Sequence, residues 1–261
     1  MTRSISRLAV IAATTIASAV APMVANAEES ADGWKFSVMP YLWLPSAKMD
    51  LSFGPRGGRS TSVSVDPGDY LDSLEFALML DGEARKERWL IATDFIYLNF
   101  GSSRSELKSI AGSPPVVNTS ANVDLKGVVW TAVGGYAAIA EPKGSLDLIA
   151  GFRYLGLKPS VDWQVGFISG NASERSNIWT AIVGAKGQVK LGDSSWFMPY
   201  YIDVGGGNSA TTWQAALGLG YAYRWGDVRL DYRYLSYSDN GNRSVQDLDL
   251  GGLALGVNFR F

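Results

Sequence analysis

Along most of the chain, large apolar residues recur at every second position. Trp213, Ala215, Leu217, Leu219, Tyr221, Tyr223 and Trp225 alternate with Thr212, Gln214, Ala216, Gly218, Gly220, Ala222 and Arg224. A period of two sends one set to each face of a β-strand. Trp196, Met198, Tyr200, Ile202 and Val204 alternate in the same way with Phe197, Pro199, Tyr201 and Asp203. The chain even ends so, with Leu253, Leu255, Val257, Phe259 and Phe261 on one face and Gly252, Ala254, Gly256, Asn258 and Arg260 on the other. The alternation predicts ten strands, at 34–44, 74–86, 88–101, 122–140, 145–158, 177–190, 195–205, 211–225, 227–239 and 247–261.

The connections between these strands alternate in length. "KE", "EPKG", "GDS" and "GD" are tight turns, whereas 45–73, 102–121, 159–176 and 240–246 are long and 206–210 is a short exception. Short turns on one rim and long loops on the other mark a transmembrane β-barrel of outer-membrane type. An even strand number also returns the C-terminus to the rim where the N-terminus lies, so the last strand can pair with the first. The expected fold is therefore all-β: a closed antiparallel transmembrane barrel of about ten strands, or eight to twelve depending on whether 46–54 and 59–66 join the wall. Aromatic residues fall toward strand ends, as membrane interfaces favour: Trp34, Trp89, Trp225 and Phe261 near the turns, Tyr97, Phe100, Tyr234 and Tyr237 near the loops. A secreted β-sandwich with an aromatic core shares the alternation but accounts for neither the loop asymmetry nor the terminal strand.

The first long connection carries its own signals. "KMDLSFGPRGGRSTSVSV" reads as a hairpin reaching beyond the membrane. Asp66 then serves as an N-cap before Pro67 at the first helical position, with Asp69 in the first turn, opening about two turns of helix through Tyr70, Leu71 and Leu74. This helix is expected to fold over or into the barrel mouth as a plug, the alternative being a helix on the outer rim.

The N-terminal segment behaves differently. Arg3 and Arg7 precede an apolar run from Leu8 to Val20, and Ala25-Asn26-Ala27 supplies a small-x-small cleavage site. Residues 1–27 are read as a secretory signal peptide and 28–261 as the barrel. The mature part has 21 basic and 25 acidic side chains, a formal net charge of −4, which argues against nucleic acid as a partner. With no cysteine, neither disulfides nor thiolate metal sites can form, and no cofactor or metal is expected.

The chain also contains no histidine, which removes the commonest general base. Outer-membrane phospholipases, lipid A deacylases and omptin-like proteases resemble one another in using one. "SELK" (Ser105 to Lys108) matches S-x-x-K but lies in an expected surface loop. "NTS" at 118 and "NRS" at 242 read as polar loop segments, and Asp239, Asp247 and Asp249 as solvated loop acids without EF-hand spacing. If the apolar positions point outward, Glu75, Asp81, Glu83, Asp94, Asp124, Asp147, Asp203 and Asp231 face inward with Arg85, Lys126, Arg153, Lys186, Lys190, Arg224, Arg229, Arg233 and Arg260. So balanced a lumen predicts an ion-paired network that leaves at most a narrow passage.

The terminal Leu255, Val257, Phe259 and Phe261 resemble the C-terminal signature of Gram-negative outer-membrane proteins, which is recognised during barrel assembly. "PYLW", "DYLDSLEF", "EARKERW" and "DFIY" further resemble an uncharacterised group of proteobacterial barrels, loosely akin to the OmpA, OmpX and OmpW types. Over residues 34–261 the resemblance implies a location in the outer membrane, contact with its lipid and lipopolysaccharide, and handling by the barrel-assembly machinery. The functional expectation is a monomeric, non-catalytic barrel with a structural or barrier role, or a narrow porin-like passage for small polar solutes. The alternative is binding of a surface ligand, lipopolysaccharide or another cell through the long loops.

Overall fold

The computed structural model describes residues 33–52, 60–100, 119–165, 168–173, 176–207, 210–239 and 245–261. Twelve strands lie among them: β1 (Trp34–Ser52), β2 (Ser60–Val65), β3 (Leu74–Lys86), β4 (Trp89–Phe100), β5 (Thr119–Glu141), β6 (Gly144–Val165), β7 (Ile168–Ser173), β8 (Ser176–Lys190), β9 (Trp196–Gly207), β10 (Ala210–Ala222), β11 (Gly226–Asp239) and β12 (Val245–Arg260). Ten of them form the wall, paired antiparallel in the order β1-β3-β4-β5-β6-β8-β9-β10-β11-β12, and β12 returns to β1. The closing seam runs from Ser37↔Arg260 to Leu51↔Val245, and Phe36 and Phe261 exchange both backbone hydrogen bonds at its foot, 3.1 and 2.9 Å long. The wall therefore has the ten strands that the alternation predicts. β2 and β7 are hairpin extensions, β2 on the upper end of β1 and β7 on that of β6. Residues 47–52 and 60–65 accordingly build the hairpin expected beyond the membrane.

The outer face is apolar. Leu80, Ile91, Leu148, Val183, Ile202, Leu217, Leu230, Leu253 and Leu255 are all exposed there, Leu217 to 56%. Rings border this belt on both sides. Toward the turns, Trp89 packs on Tyr136, Trp196 on Tyr221, Tyr223 on Trp225, and Trp225 on Phe259; toward the loops, Phe76 meets Tyr97, Trp130 meets Phe152 and Trp179, and Trp213 stacks on Tyr234. An apolar band between aromatic girdles is the lipid-facing surface of a membrane barrel. Two rings expected at the loop-side interface turn elsewhere: Tyr237 is buried in the lumen, and Phe100 lies edge-on against Tyr70, 5.6 Å between centroids.

One stretch of wall is incomplete. The β1–β3 ladder runs from Trp34↔Lys86 to Pro40↔Leu80 and stops, although both strands continue. Above that point the Trp43 N–H, without a strand partner on this side, donates to Met79 Sδ at 3.1 Å. Pro45 has no N–H to offer, and its carbonyl accepts the Tyr70 hydroxyl at 2.8 Å. Tyr70 belongs to α1 (Pro67–Tyr70), one turn followed by a 3-10 turn over Leu71–Ser73, shorter than the two α-turns expected. The Asp66 N–H donates to Asp69 Oδ2 at 3.0 Å, half of a capping box. This short element occupies the interval between β1 and β3, and Tyr70 satisfies a carbonyl that the missing ladder leaves free. Partial burial holds the Tyr70 phenol above its ordinary pKa, so it remains a donor throughout the physiological range.

Two measurements follow from this architecture. Leu217→Arg, on the lipid face, destabilises the barrel by about 2–4 kcal/mol in reversible guanidinium folding into phosphocholine liposomes. Tyr70→Phe, which removes one hydrogen bond to a free carbonyl, costs only about 1 kcal/mol in the same assay.

Candidate functional site: the lumen

Side chains of inward parity occupy the barrel in two zones. The loop-ward zone is apolar: Trp43, Met79, Ile96, Val129, Leu155, Ile178, Ala210, Leu235, Tyr237, Leu248 and Ala254 form one buried cluster. The zone toward the turns is charged, with a smaller apolar patch of Leu90, Ala92, Val133, Ile149 and Ile182 on one wall. The expected ion-paired network thus describes one zone. In the other, alternate positions are apolar on both faces, because neither lipid nor a packed interior solvates charge.

Arg153 anchors the charged zone. It is fully buried, and its Nη1 donates to Asp203 Oδ1 at 3.0 Å while Nη2 pairs with Oδ2. Its Nε donates to Thr131 Oγ1 at 3.1 Å and Nη1 also reaches Thr212 Oγ1 at 3.2 Å. The fork is therefore satisfied by a bidentate carboxylate and two hydroxyls, which is what makes burial of two charges tolerable. Arg233 repeats the arrangement nearby: it donates to Asp94 Oδ2 at 2.6 Å, Gln214 Oε1 at 2.9 Å and the Tyr41 hydroxyl at 3.0 Å, and Tyr41 donates in turn to Asp94 Oδ1 at 2.5 Å. Its guanidinium lies 4.8 Å from the centre of the Trp43 ring, a cation–π contact that joins the charged zone to the apolar one.

Closer to the turns, Arg85 grips Asp147 bidentately at 2.9 and 2.7 Å and reaches Glu83 Oε1 at 3.0 Å; Lys186 donates to Glu83 Oε2 at 2.8 Å. Asp227, fully buried, accepts from Arg229 at 2.5 Å and Asn258 at 3.0 Å, and pairs with Arg260. Apart from the exposed rim cations Lys35, Lys190 and Arg260, the described inward side chains comprise seven carboxylates (Asp81, Glu83, Asp94, Asp147, Asp203, Asp227, Asp231) and five cations (Arg85, Arg153, Lys186, Arg229, Arg233). Five of the carboxylates hold ion pairs. Asp81 and Asp231 make no ion pair or hydrogen bond with described residues. Both line a cavity of about 150 Å³ shared with Tyr41, Asp94, Lys186, Tyr201, Gln214, Arg229 and Arg233.

Of the residues expected in the lumen, Asp81, Glu83, Arg85, Asp94, Asp147, Arg153, Lys186, Asp203, Arg229, Asp231 and Arg233 come together in this zone. Three do not. Glu75 is exposed at the loop-side end of β3, where a register shift displaces it and it accepts from Asn99 at 2.8 Å. Lys126 is exposed and shares the outward parity of Trp130 on β5. Arg224 is exposed in the turn between β10 and β11. The Asp124 side chain, Ser105, Lys108, Asn118 and Asn242 lie outside the described residues, as do residues 1–27, expected as a signal peptide. In α1 no residue is buried: Asp66, Asp69 and Leu71 are exposed, and only Tyr70 turns toward the mouth. Leu255, Val257, Phe259 and Phe261 share the lipid-facing side of the closing strand region. Sequence reading missed Asp227, taken as part of a turn, and the neutral partners Tyr41, Thr131, Thr212, Gln214 and Asn258. Their inward parity was visible, but which charge each one meets depends on register across the barrel.

Removing one member of the buried pair is the decisive perturbation. Arg153→Met strands Asp203 and costs about 3–5 kcal/mol, whereas the double variant Arg153→Met with Asp203→Leu recovers most of that loss. The check is a double-mutant cycle in liposome folding.

No family model matches the chain, and no curated protein matches it either. Similarity appears among solved structures. The outer-membrane protease OmpT of Escherichia coli is 12% identical, with 88% of this chain and 98% of that one covered and a TM-score of 0.53. The translocator domain of the autotransporter NalP from Neisseria meningitidis is 15% identical over 96% and 95%, with a TM-score of 0.42. The attachment invasion locus protein Ail of Yersinia pestis is 11% identical over 88% and 99%, with a TM-score of 0.35. At such identities the likeness is one of architecture: this chain has the fold of Gram-negative outer-membrane β-barrels, and its apolar belt places it in that membrane.

Proposed function

We propose that this protein is a non-catalytic barrel of the outer membrane with a structural and barrier role, its lumen a packed strut that blocks free passage of solutes. The observation that carries this reading is the stacking of the two lumen zones. An apolar cluster centred on Trp43 and Leu235 occupies the loop-ward half; below it Arg153 pairs with Asp203 two strands along the wall and Arg233 reaches Asp94 across the lumen. Side chains just fill a barrel of about eight strands, and open aqueous channels need about sixteen. Among the described residues, the ten-stranded lumen keeps a partly open cavity of about 150 Å³.

The total absence of histidine supports the non-catalytic part of the reading. In this view the partners are the surrounding lipid and lipopolysaccharide, and the assembly machinery that receives Leu255, Val257, Phe259 and Phe261 during biogenesis. Binding of a surface ligand through the loops would draw on 53–59, 101–118 and 240–244, which lie outside the described residues.

Planar-bilayer recording of the folded protein tests the reading. The expected trace shows no discrete openings, whereas steady, ion-selective unitary conductance would replace the strut with a narrow channel for small polar solutes. Arg233→Ala, which removes the guanidinium beneath Trp43, is expected to introduce flickering openings while heat-modifiable migration on gels persists.

A further inference from the structure

We infer that the lumen cavity is a binding site for one small monovalent cation, an alkali ion or the ammonium end of a small amine, held between Asp81 and Asp231. The inference stands on the distribution of charge, whether or not the lumen conducts. Every cation on the cavity wall is already engaged: Lys186 by Glu83, Arg229 by Asp227, Arg233 by Asp94. Asp81 and Asp231 have no such partner, and they lie within each other's electrostatic reach. Isolated carboxylates inside a membrane barrel are costly unless something of opposite sign joins them.

Two backbone facts sharpen the demand. Asp81 stands directly opposite Asp94 in the β3–β4 register, and like charges in directly opposed positions of a sheet repel. Asp94 is neutralised by Arg233, but Asp81 is left to face the cavity. On the other wall, Asp231 Oδ1 leans onto the bare backbone of Gly218, occupying space that a Cβ there would need, at 1.7 Å, and it accepts no hydrogen bond. A charge able to balance Asp231 must therefore approach from the cavity side.

Asp81 and Asp231 are the two described lumen carboxylates that hold no ion pair, and one monovalent cation placed between them would serve both. A dedicated divalent site is not indicated, since no group of three or more acidic, histidine or cysteine ligands occurs among the described residues. The volume, about 150 Å³, corresponds to roughly five waters. It suits a partly hydrated ion or a short amine. The cavity wall also carries the buried Tyr201 hydroxyl, which lies near Asp203. The competing occupant is a proton shared by the two carboxylates.

Thallous ion decides between them. The mature protein is refolded from urea in thallous nitrate, freed of unbound ion, and assayed for bound thallium and for anomalous density in crystals. One bound thallium per barrel between Asp81 and Asp231 is expected, and Asp81→Asn and Asp231→Asn each weaken binding by at least about tenfold. Heat-modifiable migration confirms that both variants fold. Gly218→Ala, whose Cβ would displace the Asp231 carboxylate and press on the Leu230 carbonyl while leaving the charge intact, is expected to weaken binding too, with its folding checked by the same gel migration. Displacement of thallium by sodium or potassium identifies an alkali-ion site, and displacement by ethylammonium alone an amine site. Absence of bound thallium, with proton uptake by the wild type that Asp81→Asn abolishes, would assign the charge to a proton and overturn the inference.

Discussion

Hydrocarbon offers no hydrogen bond, so each backbone N–H and C=O of a strand that faces lipid must find its partner within the protein. The rest of this structure follows from that constraint. It forces the sheet to close, which is why β12 pairs with β1 and Phe261 is bonded to Phe36. It also forces side chains apart by parity. Residues such as Leu217 and Leu255 go outward to lipid, and everything able to carry charge at membrane depth goes inward.

The constraint is visible where the ladder fails. Between β1 and β3 the pairing ends at Pro40↔Leu80, and the chain meets the deficit with what is at hand: a thioether for the Trp43 N–H, a tyrosine hydroxyl for the Pro45 carbonyl, and a proline that has no N–H to satisfy. The short helix before β3 is positioned by this need. It looks like a plug in sequence, yet its residues stay at the surface and only Tyr70 reaches the gap.

Inside, the same dryness that makes lone charges costly makes well-formed pairs rigid. Arg153 with Asp203 links β6 to β9 across the intervening β8, and Arg233 with Asp94 and Tyr41 ties β11 to β4 and β1. The apolar cluster above them needs no such matching and fills the remaining width. Strut and cavity are then two results of one packing problem. Where pairs could be completed the lumen is solid, and where Asp81 and Asp231 lack partners a space remains.

The chain's own pattern was enough to settle the barrel, the ten wall strands and the direction in which most side chains point, because a period of two and the contrast between short turns and long loops are local properties. It also reached most of the lumen charges, since inward parity can be counted along a strand. The count also places Glu75 and Lys126 inward, whereas a register shift displaces Glu75 and Lys126 shares the outward parity of Trp130. What only the tertiary structure decided is which partner each charge meets. Arg233 and Asp94 are far apart in sequence and lie on strands that are not neighbours. Their meeting depends on barrel diameter, tilt and stagger, quantities that exist only once the sheet has closed.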